Sequence, residues 1–155
     1  MTEIWFYHLQ RQTLDNVLPG LIEKCLARGW RVVVQARSGE RLEAIDHLLW
    51  TYSDASFLAH GSARDGDADL QPVYLSTGPE NPNGAAVRFF VERAPISPSL
   101  GEPQACAYTR AINVFDGADD DELTDARAQW RQLKEQGFAM AYWRQDDTGR
   151  WEKAG

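Results

Sequence analysis

The sequence predicts an α/β protein, a three-layer Rossmann-like domain whose central sheet is mostly parallel. Strand-like and helix-like segments alternate through the first fifty residues, the order that builds a parallel sheet covered by helices. Residues 30–35, an apolar and largely β-branched run, are typical of a strand buried on both faces. A long amphipathic segment near the C-terminus leads directly into another apolar run at residues 138–143.

The first strand and helix are predicted at the amino terminus. Residues 3–8 carry large apolar side chains on both faces, which indicates a buried strand. Apolar positions recur with helical spacing from Thr13 to Arg28, and Gly29 provides the stop. Pro19 lies inside this run and predicts either a first turn or a kink.

The rest of the chain continues the alternation. Strand 30–35 is followed by Ser38, which is expected to cap a second helix with Ile45 and Leu49 on its apolar side. A final helix is predicted between the last two strands, and it carries the basic stripe described below. The remaining strands are expected at residues 72–76, 86–91, 105–115 and 138–143, with polar or proline-rich connections at 61–69, 78–84 and 95–103.

Length and composition favour a single soluble domain covering residues 1–155. No apolar run approaches the ~20 residues needed to span a bilayer, and no charged-then-apolar leader begins the chain, so we expect a cytoplasmic protein without a membrane partner. Cys25 and Cys106 lack the paired spacing of a metal site, and neither a metal nor a cofactor is expected. The formal net charge of −7 argues against strong direct nucleic-acid binding.

The sequence shows no catalytic or nucleotide-binding motif. The junction between the first strand and helix, residues 9–13, has no glycine, so a phosphate-binding loop is not expected there. GxxxxGK[ST] and GxSxG are also absent from the sequence. Cys25 is interpreted as a small core residue, and His8, His47 and His60 as structural residues. The alternatives that remain are a small nucleotide-binding or hydrolytic α/β enzyme, and direct single-strand binding through exposed aromatic rings.

The helix predicted near the C-terminus carries two stripes. Leu123, Ala126, Leu133 and Gly137 fall on one side and are expected to face the core. A second, basic-aromatic stripe lies beside it and contains Arg127, Trp130, Arg131 and Lys134. Two interpretations remain open, a solvated basic face with a half-buried tryptophan and a site for a peptide that carries carboxylates and an apolar end.

A second recognition surface is suggested by the end of the second helix and the segment after it. Trp50 and Phe57 are seven residues apart, and both can be core residues. They can equally be partly exposed anchors, since aromatic residues are enriched at protein interfaces.

Several segments, in order, cover nearly the full length of the chain and together resemble the chi subunit of bacterial DNA polymerase III holoenzyme. The matching segments are Phe6-Tyr-His-Leu9, Arg28-Gly-Trp-Arg-Val32, Asp46-His-Leu-Leu-Trp50, Ser56-Phe-Leu58 with His60, Glu80-Asn-Pro-Asn-Gly-Ala85, and Arg127-x-x-Trp130 with Gly137-Phe138. No single one of these segments is very specific, and the resemblance rests on all of them together.

The resemblance implies a non-catalytic accessory subunit of the clamp-loader complex, which binds the acidic, phenylalanine-ended C-terminal tail of single-stranded DNA-binding protein and links it to the replicase. It assigns Arg127 and Trp130 to the tail site, and Trp50 and Phe57 to a surface for the psi subunit or, in some bacteria, a helicase. Arg131 and Lys134 join the tail site on the helical spacing.

Overall fold

A computed structural model of the chain describes residues 2–10, 12–51, 60–62, 69, 71–101, 107–146, 148 and 150–154, with the backbone alone at 50, 51 and 60–62. The strands are β1 (Glu3–Leu9), β2 (Val32–Gln35), β3 (His60–Ser62), β4 (Val73–Ser76), β5 (Val87–Val91), β6 (Arg110–Asp116), β7 (Ala139–Gln145) and β8 (Trp151–Lys153). The helices are α1 (Leu14–Ala27), α2 (Gly39–Thr51), α3 (Ser97–Leu100) and α4 (Asp120–Glu135).

The strands form one sheet in the order β3-β4-β2-β5-β6-β1-β7-β8. Every neighbouring pair is parallel except β7 and β8, which pair antiparallel at one edge. Helices cover both faces, because apolar side chains of α1 and α2 pack on one side and those of α3 and α4 on the other. The predicted three-layer α/β fold with a mostly parallel sheet is therefore confirmed.

Strand β1 lies between β6 and β7 in the sheet. Its side chains alternate between the two cores, as the two-residue period of a strand requires. Phe6 belongs to the core beneath α4, whereas Tyr7 belongs to the core beneath α1. The strand therefore contributes alternate residues to two separate layers of packing.

Three elements do not follow from the sequence pattern. The strands β3 and β8 have three residues each and α3 has four, which is too short for periodicity to show. The predicted strand 105–115 begins later, at Arg110. Gly137 is exposed with φ +88° and follows the end of α4, so its expected place in the core is wrong and it serves instead as a left-handed helix stop.

Helix α1 begins where the sequence predicts. The hydroxyl of Thr13 accepts a hydrogen bond from the backbone N–H of Asn16 and caps the first turn. Pro19 is buried beyond that first turn, within a continuous helix. The predicted core position of Cys25 is confirmed, since 7% of its surface is exposed.

A buried arginine organises the loop between β4 and β5. Arg88 is fully buried, and its guanidinium donates to the side-chain oxygen of Gln35, to the hydroxyl of Tyr108 and to the carbonyls of Gly78 and Glu80. These acceptors satisfy the donors of a charge that would otherwise be costly to bury. Glu80 opens the Glu80–Ala85 segment quoted above, so this segment supplies one acceptor to the buried arginine.

None of the helices in the described part of the chain is both long and apolar enough to cross a membrane.

Candidate functional site

Helix α4 begins at an acidic cap. The carboxylate of Asp119 accepts hydrogen bonds from the backbone N–H groups of Asp121 and Glu122, at 3.0 and 3.1 Å. Acidic residues in the first turn and Lys134 in the last complement the helix dipole. The cluster of carboxylates before the helix is therefore explained by helix formation.

The helix packs on the sheet through a narrow apolar stripe. Ala126 and Leu133 are buried, and Leu123 and Trp130 are partly buried against the same core. Because this stripe is narrow, the neighbouring face of α4 is left in solvent, which is where Arg127 lies.

A pocket of about 330 Å³ opens between α4 and the sheet. Arg127, Trp130 and Arg131 line it from the helix, and Phe115 of β6 and Tyr142 of β7 line it from the sheet. It lies toward the carboxyl ends of parallel strands, the edge at which α/β proteins commonly bind ligands. Its volume is at the lower end of the roughly 300–1,000 Å³ of small-ligand sites, enough for one aromatic side chain.

Aromatic edge-to-face contacts hold the wall of the pocket. The ring of Trp130 meets Phe6 at 5.3 Å between centroids and Tyr142 at 5.6 Å, with interplanar angles of 86° and 85°. Such T-shaped pairs are the favoured geometry of aromatic contacts. One part of the indole is thereby fixed against the core while another part faces the pocket.

His8 supports the wall from the end of β1. Its Nδ1 atom shares a hydrogen bond of 2.5 Å with the hydroxyl of Tyr142, and its ring lies 4.9 Å from that of Phe115. Burial lowers the pKa of His8, with Arg144 and Arg127 acting in the same direction and Asp116 opposing them. Near neutral pH the imidazole is therefore uncharged and does not add to the positive charge of the site.

The charge at the pocket comes from arginine. Arg127 and Arg131 line the pocket, and Arg144 lies outside the lining, two residues after Tyr142 on β7. All three are exposed, and none of them forms an ion pair with any residue that the structure describes. Burial raises the pKa of Tyr142, and the positive charges of Arg144 and Arg127 oppose that shift. An apolar pocket edged by unpaired cations suits a ligand with an aromatic group and a carboxylate.

The structure brings together three of the predicted site residues and leaves the others apart. Arg127, Trp130 and Arg131 line one pocket, whereas Lys134 is exposed beyond that lining. Phe57 and the side chain of Trp50 lie outside the described residues, so the second predicted surface stays a prediction. The basic face of α4 is solvated and Trp130 is half-buried, as the first interpretation expects, and the peptide site of the second interpretation stays a prediction.

Four contributors were not found by reading α4 alone. His8, Phe115, Tyr142 and Arg144 come from three strands, and His8 is the parallel-register partner of both Phe115 and Arg144. The sequence does indicate that Tyr142 and Arg144 share a face of β7, because side chains alternate along a strand. This alternation points to the site only once the order of the strands in the sheet is known.

Among the described residues no group of three or more histidine, cysteine, aspartate or glutamate side chains is placed to hold a metal ion. No metal or cofactor role is assigned to the pocket.

Comparison with known proteins places the chain in a family. The family model described as "DNA polymerase III chi subunit, HolC" matches residues 1–141. The curated protein "Probable DNA polymerase III subunit chi" of Rickettsia prowazekii (strain Madrid E) is 30% identical over 100 residues, which are 64% of this chain and 61% of that protein. The match thus spans about three fifths of the length of this curated relative. With nine tenths of its length matched by the family model, the chain belongs to the DNA polymerase III chi subunit family.

Proposed function

We propose that this protein is a non-catalytic subunit that binds the acidic C-terminal tail of single-stranded DNA-binding protein and links it to the clamp-loader complex during replication. Membership of the chi family supports a place in the replicase. The pocket under α4 supports the ligand, because its lining combines aromatic rings with two exposed arginines, Arg127 and Arg131, that form no ion pair with a described residue.

The tail would bind with its terminal phenylalanine ring against Trp130 and Tyr142. Its terminal carboxylate would accept a bidentate pair of hydrogen bonds from Arg127. Arg131 and Arg144 would attract the acidic residues that precede the terminal phenylalanine of the tail. Lys134 would attract acidic residues farther along the tail, at the far end of the same face of α4. A second surface at Trp50 and Phe57 would bind the psi subunit or a helicase.

The expected affinity follows from the size of the site. A charge-assisted hydrogen bond contributes roughly 1.5–3 kcal/mol, and one buried phenylalanine adds about 1.5–3 kcal/mol. After the cost of association, the dissociation constant is expected to be on the order of micromolar.

Calorimetric titration with an acidic peptide that ends in phenylalanine tests the proposal. Arg127→Ala should weaken binding about tenfold or more, and amidation of the peptide's C-terminus should have a comparable effect. Lys153→Ala is the control, since Lys153 is an exposed cation on β8 that lines neither this pocket nor any other described above. Tight binding of the amidated peptide, or binding unaffected by both Arg127→Ala and Trp130→Ala, would exclude this pocket as the tail site.

A further inference from the structure

A second, smaller pocket lies on the opposite face of the sheet, between α1 and the amino ends of the strands. Its volume is about 130 Å³, and Trp5, Arg28, Trp30 and Arg110 are among the residues that line it. Trp5 belongs to β1 but points away from α4, into the packing beneath α1. The tail pocket and this one are thus separated by the sheet.

The guanidinium of Arg110 is held by aromatic rings. Its Cζ lies 3.6 Å from the centroid of the Trp5 ring and 5.7 Å from that of Trp30. Stacking on Trp5 covers one face of the planar group, so its N–H donors are available along the edge. The indole N–H of Trp5 donates in turn to the carboxylate of Glu3, which fixes the ring on which Arg110 rests.

One donor of this arginine is unsatisfied. The Nε atom of Arg110 is buried and has no hydrogen-bond acceptor among the described residues. Buried donors are paired in the great majority of cases, whereas this guanidinium is held in place without a hydrogen bond from its Nε to any described residue. Arg110 is not among the residues that line the pocket under α4.

The charged side chains that line the pocket are all cations, and the Glu3 carboxylate that accepts from Trp5 is outside this lining. Arg28, whose Cζ lies 5.2 Å from the Trp30 ring, and Lys24 are exposed at its rim, and neither they nor Arg110 form an ion pair with a described residue. Burial raises the pKa of Tyr7 to about 12 and also raises that of the Cys25 thiol, so neither contributes a negative charge. Three unpaired cations are notable in a chain with 23 acidic and 16 basic residues.

We infer that this pocket binds a carboxylate on a short aliphatic stem. The two Nη groups of Arg110 would form a bidentate pair with the carboxylate, and Arg28 would bind it from the rim. The apolar side chains of Phe89 and Ile112 would receive the stem. The volume is too small for a nucleotide. A free carboxylic acid and an acidic side chain of a partner protein present the same group.

Nuclear magnetic resonance on the full chain tests this inference, with the indole N–H signals of Trp5 and Trp30 and the Nε–H signal of Arg110 as probes. Butyrate represents a free acid, and a terminally blocked Gly-Glu-Gly peptide represents an acidic side chain. At least one of the two should shift all three signals at millimolar concentration, and the stronger binder identifies the source. Butyramide, which has the same stem without the charge, should leave the signals in place.

Two variants probe the geometry. Arg28→Gln, at an exposed position, should weaken carboxylate binding about fivefold, and Arg110→Lys, which keeps the charge but loses the planar fork, about tenfold. Arg37→Gln, at an exposed position after the end of β2 and outside the lining of this pocket, should leave binding unchanged. The inference is overturned if neither carboxylate shifts the signals, if butyramide binds as well, if inorganic phosphate binds more tightly, or if Arg28→Gln has no effect.

Discussion

Trp130 of α4 meets Tyr142 of β7 edge to face, with ring centroids 5.6 Å apart and planes at 85°. This contact joins the helix that carries the basic residues to the strand that supplies the floor of the pocket. It gives the tryptophan two roles, since the same ring packs against Phe6 in the core.

Replacement of Trp130 should separate those two roles. Trp130→Tyr keeps an aromatic edge toward the pocket, and we expect the acidic peptide to bind within about threefold of the original affinity. Trp130→Ala removes the apolar wall and should weaken binding at least about tenfold, with a loss of about 3 kcal/mol or more in the free energy of unfolding. Calorimetry and urea denaturation measure the two effects. Equal affinities for the two variants would contradict the aromatic-wall assignment.

Arg144 should contribute to peptide binding although it lies on a strand and not on α4. Its guanidinium influences both His8 and Tyr142, so Arg144→Gln should reduce affinity about threefold to tenfold at low salt. The deficit should shrink as salt screens the charge. Lys153→Gln, an exposed cation on β8, is the control. A deficit that is constant from low to high salt would point to a packing role instead.

The lowered pKa of His8 makes stability depend on pH. Because the folded protein holds this imidazole at a pKa below the unfolded value of about 6.5, the unfolded chain binds the proton more readily. The stabilisation is complete above about pH 6.5 and is lost as the pH falls through the lowered folded-state pKa. His8→Gln should flatten this part of the profile in urea denaturation at pH 7.5 and 5.5. An unchanged slope in His8→Gln would exclude this histidine as the source.

Gly117 should not tolerate a side chain. A Cβ atom there would overlap Nε2 of His8, so Gly117→Ala must displace the ring that is hydrogen bonded to Tyr142. We expect a loss of about 1–3 kcal/mol in the free energy of unfolding. Adding His8→Ala should cost less in this background than in the original protein, because the overlap is relieved. Gly20→Ala is the control, because a Cβ atom at this position of α1 meets open space, and it should stabilise the fold by about 0.5–1 kcal/mol. If the losses from Gly117→Ala and His8→Ala are simply additive, the two residues do not overlap as described.

The buried guanidinium of Arg88 should be essential for folding stability. Arg88→Met removes the donor to Gln35, Tyr108 and two loop carbonyls, and each buried acceptor left unpaired costs roughly 1–3 kcal/mol. We expect a loss of at least about 2 kcal/mol, compared with about 0.5 kcal/mol or less for Arg37→Met at an exposed position. Urea denaturation measures both. Similar values for the two variants would show that the network contributes little.

Local pattern was enough to predict most of the fold. The β-branched run in β2 and the apolar spacing of α1 each determine their element within a few residues. The short edge strands β3 and β8 were not predicted, because they depend on pairing with neighbours and carry little pattern of their own. The helical spacing within α4 likewise predicts that Arg127 and Trp130 lie side by side, and both line the same pocket.

The site residues that lie on the sheet could not be predicted from local pattern. His8, Tyr142 and Arg144 come together only because β1 and β7 lie side by side in parallel register, a relationship between residues more than 130 positions apart. The spacing of residues along the sequence does not show that these three side chains are neighbours, because their proximity depends on the order of the strands in the sheet. The orphan donor of Arg110 likewise becomes visible only once its surroundings are known.

The alternation along β1 has a consequence for how the protein is assembled. Phe6 and His8 support the pocket under α4, whereas Trp5 and Tyr7 build the pocket under α1. Because the side-chain period of a strand is two residues, a slip of one residue against β6 and β7 would turn every one of these side chains to the wrong layer. Both pockets would then be lost together, so correct pairing of this single strand acts as a common checkpoint for the two surfaces during folding.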